Sequence, residues 1–345
     1  MNVLYLWKKE YKALCDIDIF FKKKFTFNEY DLNTKNILDF IKTNKIDIVV
    51  IQNPFQNEKR LNIYKYLKKN NIKLLISDRG ALPNSWFFDP NGFNAESTSY
   101  HPKYWDKPLS LLKKQKVQEY IQNEIKSESS LEKQSKRIGK EKLRKKLNIS
   151  SNKKILFVPL QRPSDTVIKY FSKNVKKMEN FLENIIDIQN KLKDNWLVLV
   201  KKHPLETQRL YEDKLFYVDD DTHFKDLIEL CDSIVLINSG VGLISMMYSK
   251  PVYHFGDAFY SHPSINKEVK TSNEVVDFLK NNHLKVDKQK VERFISYLID
   301  EFYSFGKFFT EEITLEDNSK RTITTKINFY KINNISNYIN TAKYI

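Results

Sequence analysis

The chain has 345 residues, 41% hydrophobic and 13% aromatic, with only 7 glycines, 10 prolines and 2 cysteines, which excludes a fibrous or disordered polymer and predicts two domains. Fifty-eight Lys and Arg against 43 Asp and Glu leave a formal charge of +15, a surplus that suits nucleic acid, an anionic membrane surface or acidic substrates. Zinc-finger spacing, RNP-like aromatic motifs and helix-turn-helix signatures are missing, so nucleic acid is set aside as a partner.

The amino terminus becomes charged too soon for a secretory signal. No stretch approaches the roughly 20 apolar residues of a membrane span. The expected location is cytoplasmic, with peripheral attachment at the inner face of the plasma membrane left open. Residues 3–6 read as a short strand and 32–44 as an amphipathic helix. Residues 46–52 (IDIVVIQ) form a buried strand, 57–70 a helix and 72–77 (IKLLIS) another buried strand. This β-α-β-α-β order predicts a parallel sheet with right-handed crossovers. A long loop rich in Pro, Asn and aromatics is expected over 80–107, followed by charged helices over 108–147. Between 102 and 150 there are 14 Lys and Arg against 6 Asp and Glu. The stretch 133–146 is basic on most faces. It reads either as a solvated connector or as a surface for anionic lipid or an anionic acceptor.

The second half restarts the pattern. Strands are expected at 154–160, 196–200, 215–218, 233–237 and 252–255, and helices at 174–192, 223–230 and 240–248. The tail beyond 273 reads as helical to about 305, then as a hairpin over 312–330 and a last helix. Cys15 and Cys231 lack metal-like spacing and read as two buried free thiols of a reducing compartment. The fold class is therefore α/β, with two Rossmann-like domains whose parallel sheets face a central cleft.

In such sheets ligands bind beyond the carboxyl ends of the strands, and polar clusters sit there. Lys202-His203-Pro204 closes the strand 196–200; Pro204 biases His203 to an extended conformation, and its imidazole can donate to a phosphate or protonate a leaving oxygen, or is a structural His in a turn. Asn238-Ser239-Gly240-Val241-Gly242 closes the strand 233–237 and opens a helix, as a phosphate cradle does. It lacks the P-loop lysine and the full dinucleotide fingerprint, and an ordinary strand–helix turn is the alternative. Gln161-Arg162-Pro163-Ser164-Asp165 ends the strand 154–160, with Asp165 either in the chemistry or a plain helix cap. Asp78-Arg79-Gly80 ends the strand 72–77, and two carboxylates from opposite domains suit acid/base or nucleophilic work on a glycosyl centre; stapling of a loop is the alternative. Residues 91–97, with Asn91, Asn94 and Glu96, read as a turn and a substrate-facing loop or as a surface turn. Gly256-Asp257-Ala258-Phe259-Tyr260 is expected to line the nucleotide or sugar pocket. The run Asp219-Asp220-Asp221 resembles a cation site by composition but reads as a solvated loop or helix start.

In order along the chain, Asp78-x-Gly80, Asn91-Gly92-x-Asn94, Gln161-x-Pro163-x-Asp165, Lys202-His203-Pro204, Asn238-Ser239-x-x-Gly242 and Gly256-Asp257-Ala258-Phe259-Tyr260 resemble the bacterial capsule polysaccharide biosynthesis family that includes the β-Kdo transferases. The resemblance covers roughly residues 72–260. The His-Pro and Ser motifs are also similar to those of bacterial sialyltransferases. The family often follows its acidic-x-Gly with an aromatic residue and an Arg; here the chain reads Ala81-Leu82-Pro83-Asn84. The resemblance implies a GT-B architecture: an acceptor domain with a basic helical connector over 1–150, a nucleotide-sugar domain over 151–275, and a helical tail over 276–345 that packs back on the first domain. It implies a glycosyltransferase of capsular or surface polysaccharide synthesis. The donor would be a CMP-activated acidic sugar (Kdo in the named members) and the acceptor a glycan or lipid-linked glycan, with neither metal nor cofactor. Asp165 would be the nucleophile of a retaining reaction, and Asp78 the acid/base group. His203 would bind and protonate the CMP phosphate, cradled by Ser239 with Asn238, Gly240 and Gly242. Gln161, Arg162, Lys202, Pro204 and Asp257 would complete the donor site, and Arg79, Asn91, Asn94 and Glu96 would meet sugar or acceptor. A transferase for another nucleotide sugar or a polyol phosphate, and a non-catalytic glycan- or membrane-binding assembly partner, are the alternatives.

Overall fold

The computed structural model describes residues 1–7, 13–27, 33, 36–130, 132, 134–173, 175–281, 284–314, 320–333 and 335. The chain forms two compact units, Met1–Tyr104 with Tyr297–Ile345, and Trp105–Ser296. Unit 1 opens with strands β1 (Asn2–Tyr5), β2 (Lys23–Thr26), β3 (Ile48–Gln52), β4 (Leu74–Arg79) and β5 (Ser85–Asp89). Unit 2 holds β6 (Lys154–Pro159), β7 (Trp196–Lys201), β8 (Ser233–Leu236), β9 (Val252–His254) and β10 (Lys267–Glu268). The chain then returns to unit 1 with β11 (Tyr303–Thr314) and β12 (Lys320–Lys331).

The sheet of unit 1 runs β12-β11-β5-β4-β3-β1-β2. Its β2, β1, β3 and β4 are parallel, as the βα pattern predicts. The expectation of a wholly parallel sheet is corrected by β5, β11 and β12, which pair antiparallel. The reversal happens within the expected loop. Gly80 N–H donates to Ser85 O at 2.9 Å, and a Cβ on Gly80 would fall 2.1 Å from Ser85 Oγ, so the turn admits no side chain there. Asn84 takes φ 57°, the left-handed region that Asn tolerates. The tail also departs from expectation. Helix Lys288–Tyr297 passes through a π-helical turn, Leu298–Phe302, and gives way to β11 at Tyr303, where Phe302 stacks on Phe87 with ring centroids 6.3 Å apart. The hairpin extends over β11 and β12; its connection, like the expected last helix, lies outside the described residues.

Unit 2 contains a wholly parallel five-stranded sheet, β10-β9-β8-β6-β7. Helix Met178–Leu192 buries Phe181, Leu182, Ile185, Ile188 and Leu192 at helical spacing against the strands. Residues 215–218 contribute only one parallel bridge, Val200 to Tyr217. Because the chain leaves β6 to one side for β7 and to the other for β8, the order reverses at β6/β8, the switch point where open α/β sheets bind ligands.

The division between the units falls at 104/105 and 296/297 rather than at 150 and 275, and buried charge ties the segment before 150 to the second unit. Lys225 is fully buried; its Nζ lies 2.6 Å from Glu124 Oε1 and donates to Ser127 Oγ at 2.8 Å. Arg137 Nε donates to Asp226 Oδ1 and Nη2 to Glu229 Oε2, both at 2.8 Å, and Asp226 Oδ2 also accepts from Ile138 N–H at 2.7 Å. The basic connector is thus clamped on helix Phe224–Leu230 of the second sheet. Cys231 is buried with its thiol pushed up to about 12 by burial, whereas Cys15, expected to be buried, is half-exposed.

Candidate functional site

Strand β6 lies between β7 and β8, all parallel, so the turns after these three strands share one edge of one sheet. Leu205 N–H donates to His203 Nδ1 at 3.2 Å, and Glu206 N–H to His203 O at 3.0 Å, which fixes the ring in a short turn. With Nδ1 accepting, the neutral ring carries its proton on Nε2. Burial, then the charges of Arg162, Lys202 and Lys201, lower the His203 pKa to about 4. Lys202 Nζ donates to Glu206 O at 2.6 Å and pairs with Asp220 at 3.0 Å. Lys201 is buried, donates to Asp220 O at 3.0 Å, and is lowered by burial to about 8.

After β6 the chain turns so that Arg162 N–H donates to Asp165 Oδ2 at 3.2 Å, and Arg162 Nε reaches Glu206 Oε1 at 2.8 Å. The latter ion pair ties the β6 turn to the β7 turn. Asp165 occupies the N-cap position of helix Thr166–Phe171, yet its side chain makes no capping hydrogen bond. Burial raises its carboxyl to about 6 against the opposing pull of the Arg162 N–H and guanidinium. Beside these turns lies a cavity of about 180 Å³ whose walls include Leu160, Met178, Leu210 and Tyr217, with Lys202 and His203 among the polar groups.

At the end of β8, Asn238 and Gln161 bond to each other: Gln161 Nε2 donates to Asn238 Oδ1 at 3.0 Å, and Asn238 N–H to Gln161 Oε1 at 3.1 Å. Asn238 Nδ2 also donates to Val167 O and Phe171 O, at 3.0 and 3.1 Å. In the following turn Val241 N–H donates to Ser239 Oγ at 3.2 Å and Gly242 N–H to Ser239 O at 3.0 Å.

In unit 1, Asp78 lies within β4 opposite Phe87, and its Oδ1 accepts from Arg79 N–H at 2.8 Å. Arg79 sits over the Phe308 ring at 5.9 Å. The 91–97 loop is built on Asp89, which is buried and accepts from Asn91 N–H, Ser97 Oγ and Ser99 Oγ at 2.8, 2.5 and 2.7 Å. Burial raises the Asp89 pKa while those three donors lower it. Glu96 accepts a short hydrogen bond from the Tyr64 hydroxyl. Asn94 takes φ 51°.

Residues 104–309, more than half of the chain, match the family model described as capsule polysaccharide biosynthesis protein. The chain belongs to that family. Its fold is similar to that of two Thermosulfurimonas dismutans KpsC structures. One is a β-Kdo 2,4 transferase, 12% identical, with a TM-score of 0.62 over 99% of this chain and 97% of that one. The other is a β-Kdo 2,7 transferase, 15% identical, with a TM-score of 0.56 over 99% and 98%. The α/β fold of this capsule biosynthesis protein is therefore GT-B-like. No curated protein matches its sequence.

Against this frame several expected donor-site residues of the capsule protein have other employment. Gln161 and Asn238 spend their amides on each other and on helix carbonyls, so they set the spacing of the switch point. Gly242 is small for packing: a Cβ would lie 2.3 Å from the hydroxyl of the buried Tyr260, which donates to Ser239 O at 2.6 Å. The N–H groups of Val241 and Gly242 are engaged by Ser239, so neither is an open donor of the kind expected of a phosphate cradle. Asp257 pairs with Lys173 at 2.7 Å, and Lys173 also meets Glu268. Asp219 and Asp221 pair with Lys146, and Asp220 with Lys202 and Arg209, so that acidic run holds cationic side chains. Asn91 and Glu96 brace their own loop through Ser99 and Tyr64. Glu206, which bonds Arg162, is the residue at these turns that the sequence does not single out. Glu206 carries no motif signal. Tyr260 stood at the end of the 256–260 motif, but only the fold brings it under the turn at 239.

Proposed function

We propose that this protein is a glycosyltransferase of capsular or surface polysaccharide synthesis that transfers an acidic sugar, Kdo or a related 2-keto acid, from a CMP-sugar to a glycan or lipid-linked acceptor. The observation that carries this reading is the common edge bearing the turns of Asp165 and His203, with Arg162 acting electrostatically on both side chains. A carboxyl near 6 is mostly ionised at neutral pH and more basic than an ordinary aspartate, which suits a nucleophile.

In the proposed reaction the Asp165 carboxylate attacks the anomeric carbon. The bond to the CMP phosphate oxygen breaks, and its electron pair stays on the phosphate. His203 donates Nε2–H to that oxygen, the Arg162 and Lys202 charges stabilise it, and Ser239 holds the phosphate. The acceptor hydroxyl then loses its proton to a general base, a role for which the family resemblance offers Asp78, and its oxygen displaces Asp165 and restores the original anomeric configuration. Arg162 and Arg79 are the guanidinium candidates for the sugar carboxylate. The enzyme would work at the inner face of the plasma membrane. Among the described residues no helix is long and apolar enough to cross a membrane.

The test is incubation with CMP-Kdo followed by peptide mass spectrometry. A sugar adduct on the peptide carrying Asp165, lost in Asp165→Asn, is expected; an adduct on Asp78 instead would reverse the two roles. Thermal stabilisation by UDP or GDP but not by CMP would refute the donor assignment.

A further inference from the structure

We propose that the first turn of helix Leu111–Lys126, with the segment leading into it, is a docking surface for an anionic lipid bilayer. Ser110 caps this helix by accepting from Lys113 N–H at 3.4 Å, which places Leu111 and Leu112 at its first two positions. The buried stripe of the helix runs through Val117, Ile121 and Glu124. At about 100° per residue, continuing that stripe toward the N-terminus leads through 113 and 114, so both leucines fall outside it. They are 73% and 75% exposed, among the most exposed large apolar side chains of the described residues.

Charge surrounds this apolar pair with one sign. Lys107, Lys113, Lys114 and Lys116 are exposed, and no Asp or Glu occurs between Asp106 and Glu119. Asp106 is itself neutralised by Arg293 at 2.7 Å and Lys290 at 3.4 Å. A bilayer with acidic headgroups satisfies both features: leucines enter the acyl boundary while lysine ammoniums remain among the phosphates. An acidic glycan would match the lysines and leave the leucines in water. The more basic stretch after residue 133 does not offer this combination. Arg137 is consumed by Asp226 and Glu229, Lys146 pairs with Asp219 and Asp221, and only Ile138 is an exposed large apolar side chain there. The proposed surface is independent of the donor chemistry.

The test is co-sedimentation of the full chain with vesicles of phosphatidylcholine alone or mixed with phosphatidylglycerol. Wild-type protein is expected to bind the anionic vesicles at least about tenfold more tightly than the neutral ones, and less tightly as salt rises. Leu111→Ser with Leu112→Ser, and separately Lys107→Gln with Lys116→Gln, should each weaken binding by about tenfold or more without shifting the melting temperature. Equal binding to both vesicle types, no binding, or either variant binding like wild type would overturn the proposal. So would capture of the wild-type chain by a soluble acidic polysaccharide with indifference to vesicles. Transfer to a soluble acceptor should proceed in both variants at the wild-type rate. A loss of transfer would assign the helix to the active site and overturn its role as a docking surface.

Discussion

The Leu205 N–H on His203 Nδ1 and the three cations around the ring set two measurable properties. The free ring is neutral at pH 7, and a bound phosphate opposes the cations that lower it. Binding of CMP should therefore raise the His203 pKa from about 4 by a unit or more, read by NMR titration of the ring. Affinity for the CMP portion should strengthen as pH falls from the bound pKa toward about 4, and an unmoved His203 resonance would remove it from the phosphate site. Asp165 and His203 also pull stability in opposite directions. The folded pKa of Asp165, about 6, exceeds the usual 3.8, so its contribution is present below the unfolded value and is lost as pH rises through 6. The folded His203 pKa lies below its ordinary 6.5, so its contribution is lost as pH falls from 6.5 toward 4. In Asp165→Asn the first trend disappears. Urea unfolding should show the variant more stable than wild type at pH 7, on the order of 1–2 kcal/mol, and nearly equal to it at pH 4, while transfer falls by about a thousandfold or more. Gly242→Ala drives a methyl to within 2.3 Å of Tyr260 Oη and should cost about 2–3 kcal/mol. Adding Tyr260→Phe should restore part of the loss, because the nearest clashing atom is then gone.

The connector is fastened at the scale of elements. Lys225 and Glu124 form an ion pair with 0% and 9% side-chain exposure. Lys225→Met should destabilise unit 2 by roughly 3–5 kcal/mol, because it leaves the buried Glu124 carboxyl without its partner. Glu124→Leu combined with Lys225→Met should recover much of that loss. Limited proteolysis across 127–139 would report the same loosening, and unchanged cleavage in Lys225→Met would show that the clamp is not what holds the connector. This also shows what a sequence can disclose. The runs IDIVVIQ and KILFVPL are legible as strands because burial on both faces leaves no polar alternation, and the turns they feed are legible from their small and cationic residues. The antiparallel β5 was hidden in an aromatic-rich stretch, since Ser-Trp-Phe-Phe-Asp buries every residue yet is only five residues long. Lys225 was invisible as a core residue because its partner lies 101 positions away. For the same reason the mutual bond of Gln161 and Asn238, 77 positions apart, looked like two ligand-facing amides.

Across the whole molecule, the chain makes one unit from two distant stretches and the other from a single continuous one. A fragment 105–296 should fold cooperatively and retain CMP binding, measured by thermal melting and calorimetry. A fragment 151–275 should not, because it leaves Lys225 buried without Glu124 and Asp226 without Arg137. Fragment 1–104 should stay unfolded, since β5 has β11 as its neighbour on one side; a sharp melting transition for it would show that the final strands are dispensable.

That discontinuity carries a consequence for biogenesis. On a ribosome the strand Ser85–Asp89 emerges more than two hundred residues before its partner Tyr303–Phe305, so the amino-terminal unit must wait with an open sheet edge while the inserted unit is completed. Of these two units the one whose synthesis starts earlier therefore matures later, and chaperones meeting the nascent polypeptide should engage residues 1–104 longer than 105–296.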